Sequence, residues 1–115
     1  MGAADLVAHV MAVADRRRFV TVVVGLDEDA LAEFAHSHGL QGSITELSAH
    51  SAVRAEIEQG IAEANKHLPK AARIRGFVLA DRFWRPGGPE ITPTMKLRRP
   101  AVMDAYAAQI DALYS

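Results

Sequence analysis

Hydrophobic positions along this chain follow two different periods. His9-Val10-Met11-Ala12-Val13 and Phe19-Val20-Thr21-Val22-Val23-Val24 are short β-rich runs separated by the polar group Asp15-Arg16-Arg17-Arg18, the pattern of a β-hairpin. No Asn-Gly or Asp-Gly occupies the turn, which predicts a connection of about four or five residues. Alanine is frequent from Ala3 to Val13, so a helix there competes with the first strand. The β-branched second run needs a neighbouring strand and favours the hairpin.

Beyond the hairpin the period lengthens to that of a helix. Asp27 is placed as an N-cap, with Glu28 and Asp29 in the first turn, and Gly39 supplies the stop. Leu31, Phe34 and Ala35 give this helix its buried face. Ser43-Ile44-Thr45-Glu46 has the spacing of a capping box. It predicts a short helix from about Ser43 that merges into the next. Val53, Ile57, Ile61, Ala64 and Leu68 recur at three- and four-residue spacing, predicting the longest amphipathic helix, closed by Pro69.

Strand character returns at Arg73 to Leu79, with Ile74, Gly76 and Val78 on one face and Arg75, Phe77 and Leu79 on the other. This third strand is expected to join the hairpin. Asp81 to Met95 is irregular, and its Arg85-Pro86-Gly87-Gly88-Pro89 tip reads as mobile. Pro100 suits the first position of a C-terminal helix marked by Met103, Tyr106, Ile110 and Leu113. The predicted fold is α+β: a small sheet built on a β-hairpin plus a third strand, packed by amphipathic helices, with a long loop before the last one.

Composition narrows the function classes. At 115 residues, half of them hydrophobic, the chain is a single domain able to bury a core of its own. It has no cysteine, which excludes disulfides and thiolate zinc sites. The apolar run from Val20 to Leu26 is too short to span a bilayer, and Met1 to Val7 lacks the basic start of a signal peptide. A net charge of -1 gives no global attraction to nucleic acid. Any anion site must be local, at Arg16, Arg17 and Arg18 or at Lys96, Arg98 and Arg99.

The second cluster carries the chemistry. Lys96 follows Thr92-Pro93-Thr94-Met95, where Pro93 restricts the backbone and the two hydroxyls can bond the loop or an anion. The ammonium is a flexible point charge with three donors. By contrast, His36 and His38 lie two apart, a poor metal geometry, and His9, His50 and His67 are scattered. Phe83-Trp84-Arg85 could stack a base, but core packing is the favoured reading. Arg16 to Arg18 could meet phosphates, with a solvated turn as the default.

Ile91-Thr92-Pro93-Thr94-Met95-Lys96-Leu97-Arg98-Arg99 resembles the last motif of the adenylate-forming (AMP-binding) enzymes in its long-chain fatty acid–CoA ligase form, hydrophobic-Thr-Pro-Thr-x-Lys-hydrophobic-Arg-Arg. Acetate and aryl acid ligases more often have Ser-Gly-Lys there. The likeness extends back through the strand and turn at Arg73 to Phe83, the helix to Leu68 and the hairpin at Val10 to Asp27. Ala14-Asp15 departs from the family's Gly-Asp. Residues 1–115 thus resemble a C-terminal lid domain without its large N-terminal domain and hinge.

That resemblance implies a two-step ligase. A fatty acid carboxylate attacks the α-phosphate of ATP to give acyl-adenylate and pyrophosphate, and the CoA thiol then attacks the adenylate. Lys96 would be the adenylation lysine, with Thr92, Pro93, Thr94, Arg98 and Arg99 supporting its loop. ATP, Mg2+ and CoA would serve the full-length enzyme, with none held tightly by this chain, which is expected to be inactive alone. No metal ligand set is expected here. Its partners would be the large domain, the small-molecule substrates and a lysine acetyltransferase acting on Lys96, with no nucleic acid. The resemblance further implies a cytoplasmic enzyme, with peripheral membrane contact left to the full-length protein. The rival is a small α+β module binding nucleic acid or another anion through its arginine clusters and Trp84.

Overall fold

A strand buried on both faces forms the axis of the molecule. In the computed structural model, which describes residues 3–14 and 17–114, β1 (Val7–Val13) pairs antiparallel with β2 (Val20–Leu26), and β3 (Ile74–Leu79) joins β2 in parallel. The order is β1-β2-β3. Every β2 residue except Val20 is buried. A strand bonded on both edges and covered on both faces favours a nearly continuous apolar run, which accounts for Val22 to Val24, while the buried Thr21 hydroxyl is hydrogen-bonded to Tyr114.

Alternate residues of β2 feed two separate cores. Val22, Val24 and Leu26 point with Phe77 and Leu79 into the first. It is roofed by α1 (Ala3–Leu6), α2 (Glu28–Ser37), α3 (Ile44–Ser48) and α4 (Ser51–Asn65), which contribute Leu6, Leu31, Phe34, Leu47, Val53 and Ile57. Val23 and Val78 point the other way, with Met11 and Val13, onto Trp84, Ile91 and residues Val102, Tyr106 and Ile110. Val102 belongs to α5 (Arg99–Ala105) and Ile110 to α6 (Ala107–Leu113), with Tyr106 at the junction between them.

The predicted caps form. Asp27 accepts from Ala30 N at 2.9 Å, Ser43 and Glu46 make the reciprocal capping box, and Gly39 adopts a φ of 66° beyond α2. The competing helix over Ala3 to Val13 exists only as α1, after which β1 starts two residues before the predicted His9. The turn residues Asp15 and Arg16 lie outside the described residues.

Four boundaries differ from the sequence reading, each for a local reason. α3 does not merge into α4, because His50 caps α4 by accepting the Ala52 amide on Nδ1 at 3.1 Å. α4 ends at Asn65 rather than running to Leu68, and Ala64 is exposed. The Asn65 amide instead pairs with both backbone groups of Ile74, at 2.8 and 2.9 Å, tying the helix end to β3. A bulge makes Ile74 and Gly76 face consecutive residues of β2, so Ile74 turns to the Phe77 and Leu79 side instead of the Val78 side. Finally, the C-terminal helix is kinked at Tyr106 (φ -117°, ψ 20°). The hydrogen bonds from Tyr106 N to Val102 O and Ile110 N to Tyr106 O run through the kink.

Candidate functional site

The Lys96 segment is a small hairpin laid against the second core. Its base is closed by Arg98 N donating to Glu90 O at 2.8 Å, and Ile91 and Leu97 form an antiparallel bridge above it. Next, Thr92 N donates to Lys96 O at 2.8 Å and Lys96 N donates to Thr92 Oγ1 at 3.0 Å. Met95 N donates to Thr92 O at 2.9 Å and closes the turn. Thr92 Oγ1 also lies 3.1 Å from Thr94 Oγ1. Ile91, at the foot, is fully buried.

Met95 is the strained point of this loop. Its φ of 70° is left-handed, and it is the one non-glycine residue with positive φ among those described. Such a conformation costs a residue bearing Cβ roughly 1–2 kcal/mol. Glycine avoids that cost, which gives a physical reason for the Ser-Gly-Lys of the related ligases. The strain turns the chain so that Lys96 follows at once on the returning limb. Lys96 is exposed, and its ammonium has no hydrogen bond or ion pair among the described residues. The backbone is held at both ends while the charge is left unused.

Beneath the hairpin sits Glu90, the only buried charged side chain among the described residues. Removing a carboxylate from water costs several kcal/mol or more, on the order given by desolvation of buried ions, unless a partner compensates. Arg82 provides it through Nη2 to Glu90 Oε2. The same hydrogen bond raises the pKa of Arg82, so its guanidinium stays charged. Tyr106 closes the neighbouring wall, its hydroxyl 3.5 Å from Asp81 Oδ1. Burial raises the pKa of this phenol.

The other expected site residues divide. Pro93 and Thr94 are exposed in the turn, and Arg98 is exposed at the start of α5. Arg99 reaches back to donate to Ala12 O of β1 at 2.9 Å, so its guanidinium anchors the hairpin to the sheet. Arg17 pairs with Asp111 at 3.0 Å and covers the Tyr114 ring, while Arg18 donates to Tyr114 O. These two arginines therefore fasten the strand connection to α6, and neither is the open phosphate clamp considered from the sequence. Arg16 lies outside the described residues.

Trp84 is 6% exposed, stacked with His9 and tilted against the Tyr106 ring. It has no open face for a base, which removes the main support for a nucleic-acid-binding module. His38 stacks on Phe34 and contacts its carbonyl. Among the described residues no group of three His, Cys, Asp or Glu could hold a metal ion. No helix among them is long and apolar enough to cross a membrane. Sequence reasoning missed Glu90, Arg82 and Tyr106. The sole hint was a carboxylate directly before the apolar foot of the loop.

Comparison with known proteins identifies the family and the fold. The family description AMP-binding enzyme C-terminal domain matches residues 1–115. A Mycobacterium tuberculosis protein carrying the description fatty-acid–CoA ligase fadD11 is 37% identical over the whole chain, which spans 20% of that protein. Long-chain-fatty-acid–CoA ligase 1 of Cavia porcellus is 31% identical over 84% of this chain and 14% of its own length. The chain therefore spans about a fifth or less of these curated relatives. Its fold is shared with the adenylation domain of a carboxylate reductase from Mycobacterium chelonae, at a TM-score of 0.60 and 21% identity over 95% of this chain and 16% of that one. With the whole sequence matched and the fold shared, the chain belongs to the AMP-binding enzyme C-terminal domain family.

Proposed function

We propose that this chain is the lid of a long-chain fatty acid–CoA ligase, with Lys96 as the lysine of its adenylation step. The observation that carries this reading is an exposed ammonium, without a hydrogen bond or ion pair among the described residues, on a loop whose backbone is hydrogen-bonded from Glu90 through Arg98. Similarity to fatty-acid–CoA ligases over all of the chain in one relative and 84% of it in another supports the substrate class, and the Thr-x-Lys form of the motif favours long acyl chains.

In the first half-reaction a carboxylate oxygen of the fatty acid bonds to the α-phosphorus of ATP while the bond to pyrophosphate breaks. Negative charge redistributes across carboxylate and phosphate oxygens. Lys96 bridges them as a preorganised cation whose loop needs no rearrangement during the reaction. In the second, the CoA thiol bonds to the acyl carbon, loses its proton and expels AMP. Lys96 is not needed there, and the lid rotates to present another face. ATP and its Mg2+ bind mainly to the large domain. The lid alone is inactive.

Lys96→Ala in the full-length enzyme tests the assignment. ATP–pyrophosphate exchange dependent on fatty acid should fall about a hundred- to a thousandfold, while thioester formation from supplied acyl-adenylate persists. Unchanged exchange would overturn the role given to Lys96. Because it is exposed, the same ammonium is open to a lysine acetyltransferase, and acetylation would erase the charge the adenylation step needs. Mass spectrometry of protein from cells that acetylate other lysines should find Lys96 modified.

A further inference from the structure

The Arg82–Glu90 ion pair has no place in the adenylation chemistry above, yet it holds the only buried charged side chain among the described residues. A buried ion pair is a poor source of stability, because apolar residues of similar volume serve a core as well or better. Its value lies in fixing one geometry. We propose that Arg82 and Glu90 are positioning residues for Lys96, forming a strut that sets the direction in which the Thr92–Lys96 turn leaves the sheet.

Connectivity supports the assignment. Arg82 lies three residues beyond Leu79, the end of β3, and Ala80 N still donates to Val24 O, so the segment leaves the sheet under its control. Glu90 is joined to that segment by its side chain and to Arg98 by its carbonyl oxygen. The strut therefore enters the hairpin at its lowest rung. Apolar contact at Ile91 fixes the depth of the hairpin but is non-directional. The charge-assisted hydrogen bond from Arg82 Nη2 to Glu90 Oε2 is directional and can set the tilt. Arg99 on Ala12 restrains the opposite limb at the edge strand. A tilt at Glu90 is magnified at Lys96, which stands beyond the two rungs at the tip.

The catalytic part of this proposal rests on the role assigned to Lys96; the mechanical part does not, and two measurements separate them. In the 115-residue chain, amide hydrogen exchange is followed at Thr92, Met95 and Lys96 and at Val22 and Val23 of β2. Glu90→Gln should speed exchange in the turn by about tenfold or more while β2 stays as in the wild type, and Arg82→Lys, which keeps charge but loses the planar fork, should give a smaller change. Glu90→Asp, with its carboxylate retracted by one carbon, carries the same expectation should the Gln variant fail to fold. Unaltered turn exchange, or an equal rise in turn and β2, would overturn the strut.

In the full-length ligase, Glu90→Gln should lower adenylation on the order of ten- to a hundredfold, the usual cost of a misplaced catalytic group. Thioester formation from supplied adenylate should hold, and Arg82→Lys should retain more adenylation than Glu90→Gln. An equal fall in both half-reactions would overturn positioning in favour of general destabilisation. If Lys96→Ala leaves adenylation intact while Glu90→Gln still loosens the turn, the reading of Lys96 fails and the strut stands.

Discussion

Trp84 lies directly over Gly25: a Cβ built on Gly25 would fall 2.8 Å from Trp84 Cε3 and 3.1 Å from Cδ2. Glycine in β2 is thus a clearance requirement, since the backbone angle there is ordinary and a glycine otherwise weakens a strand. The indole uses the space to cover the sheet between His9 and Tyr106. The contact sits in the core that carries the Lys96 hairpin.

Gly25→Ala is therefore expected to destabilise the chain by about 1–3 kcal/mol, as overpacking does where a large ring must shift. Urea denaturation reads this directly. A midpoint equal to the wild type would show that Trp84 yields without cost.

Met95→Gly should be close to neutral or stabilising by up to about 1 kcal/mol, since release of left-handed strain competes with the greater freedom of unfolded glycine. Met95→Ile should lose about 1 kcal/mol or more, because branching at Cβ aggravates a positive φ. Thermal melts of the three proteins provide the ranking, and an Ile variant as stable as the Gly variant would contradict it.

The Thr92 hydroxyl accepts from the Lys96 amide and contacts Thr94. Thr92→Val keeps the shape but removes the acceptor, at a cost of about 1 kcal/mol, typical of one net hydrogen bond. Thr92→Ser should retain most of the stability. In the full-length enzyme the Val variant should lose adenylation while sparing thioester formation from supplied adenylate. Equal performance of Val and Ser variants in exchange assays would sink the role of the hydroxyl.

Tyr106 adds a dependence on alkaline pH. Burial raises its folded pKa above the unfolded value of about 10, so folding favours the neutral phenol. The resulting contribution is fully present below the unfolded pKa and is lost as pH rises through the folded one. Tyr106→Phe, with no proton to lose, should gain on the wild type above about pH 10. Urea midpoints from pH 8 to pH 11 that stay parallel for the two proteins would refute this.

Elements whose residues act locally were legible in the sequence. Asp27, the Ser43 and Glu46 box, the valine run and Pro100 declare their roles within a few positions. The lysine loop was marked by its motif, although neither its hairpin pairing nor its left-handed turn at Met95 was. Relations between distant segments were hidden. Nothing local announces that Asn65 will pair with Ile74, that Arg99 will reach Ala12, or that Arg82 will hold Glu90, because each depends on how the sheet brings remote chain together. His50 was overlooked for a different reason: Nδ1 can accept an amide hydrogen at a helix start, a role more familiar from Ser or Asp.

The alternation along β2 has a practical consequence for engineering. Odd-numbered positions, at Thr21, Val23 and Gly25, touch the layer of α5, α6 and the lysine hairpin, whereas Val22, Val24 and Leu26 face the other helices. One seven-residue strand therefore offers two addresses selected by parity. Changes of volume at odd positions would retune how the ammonium is presented, while those at even positions would retune the scaffold that carries it.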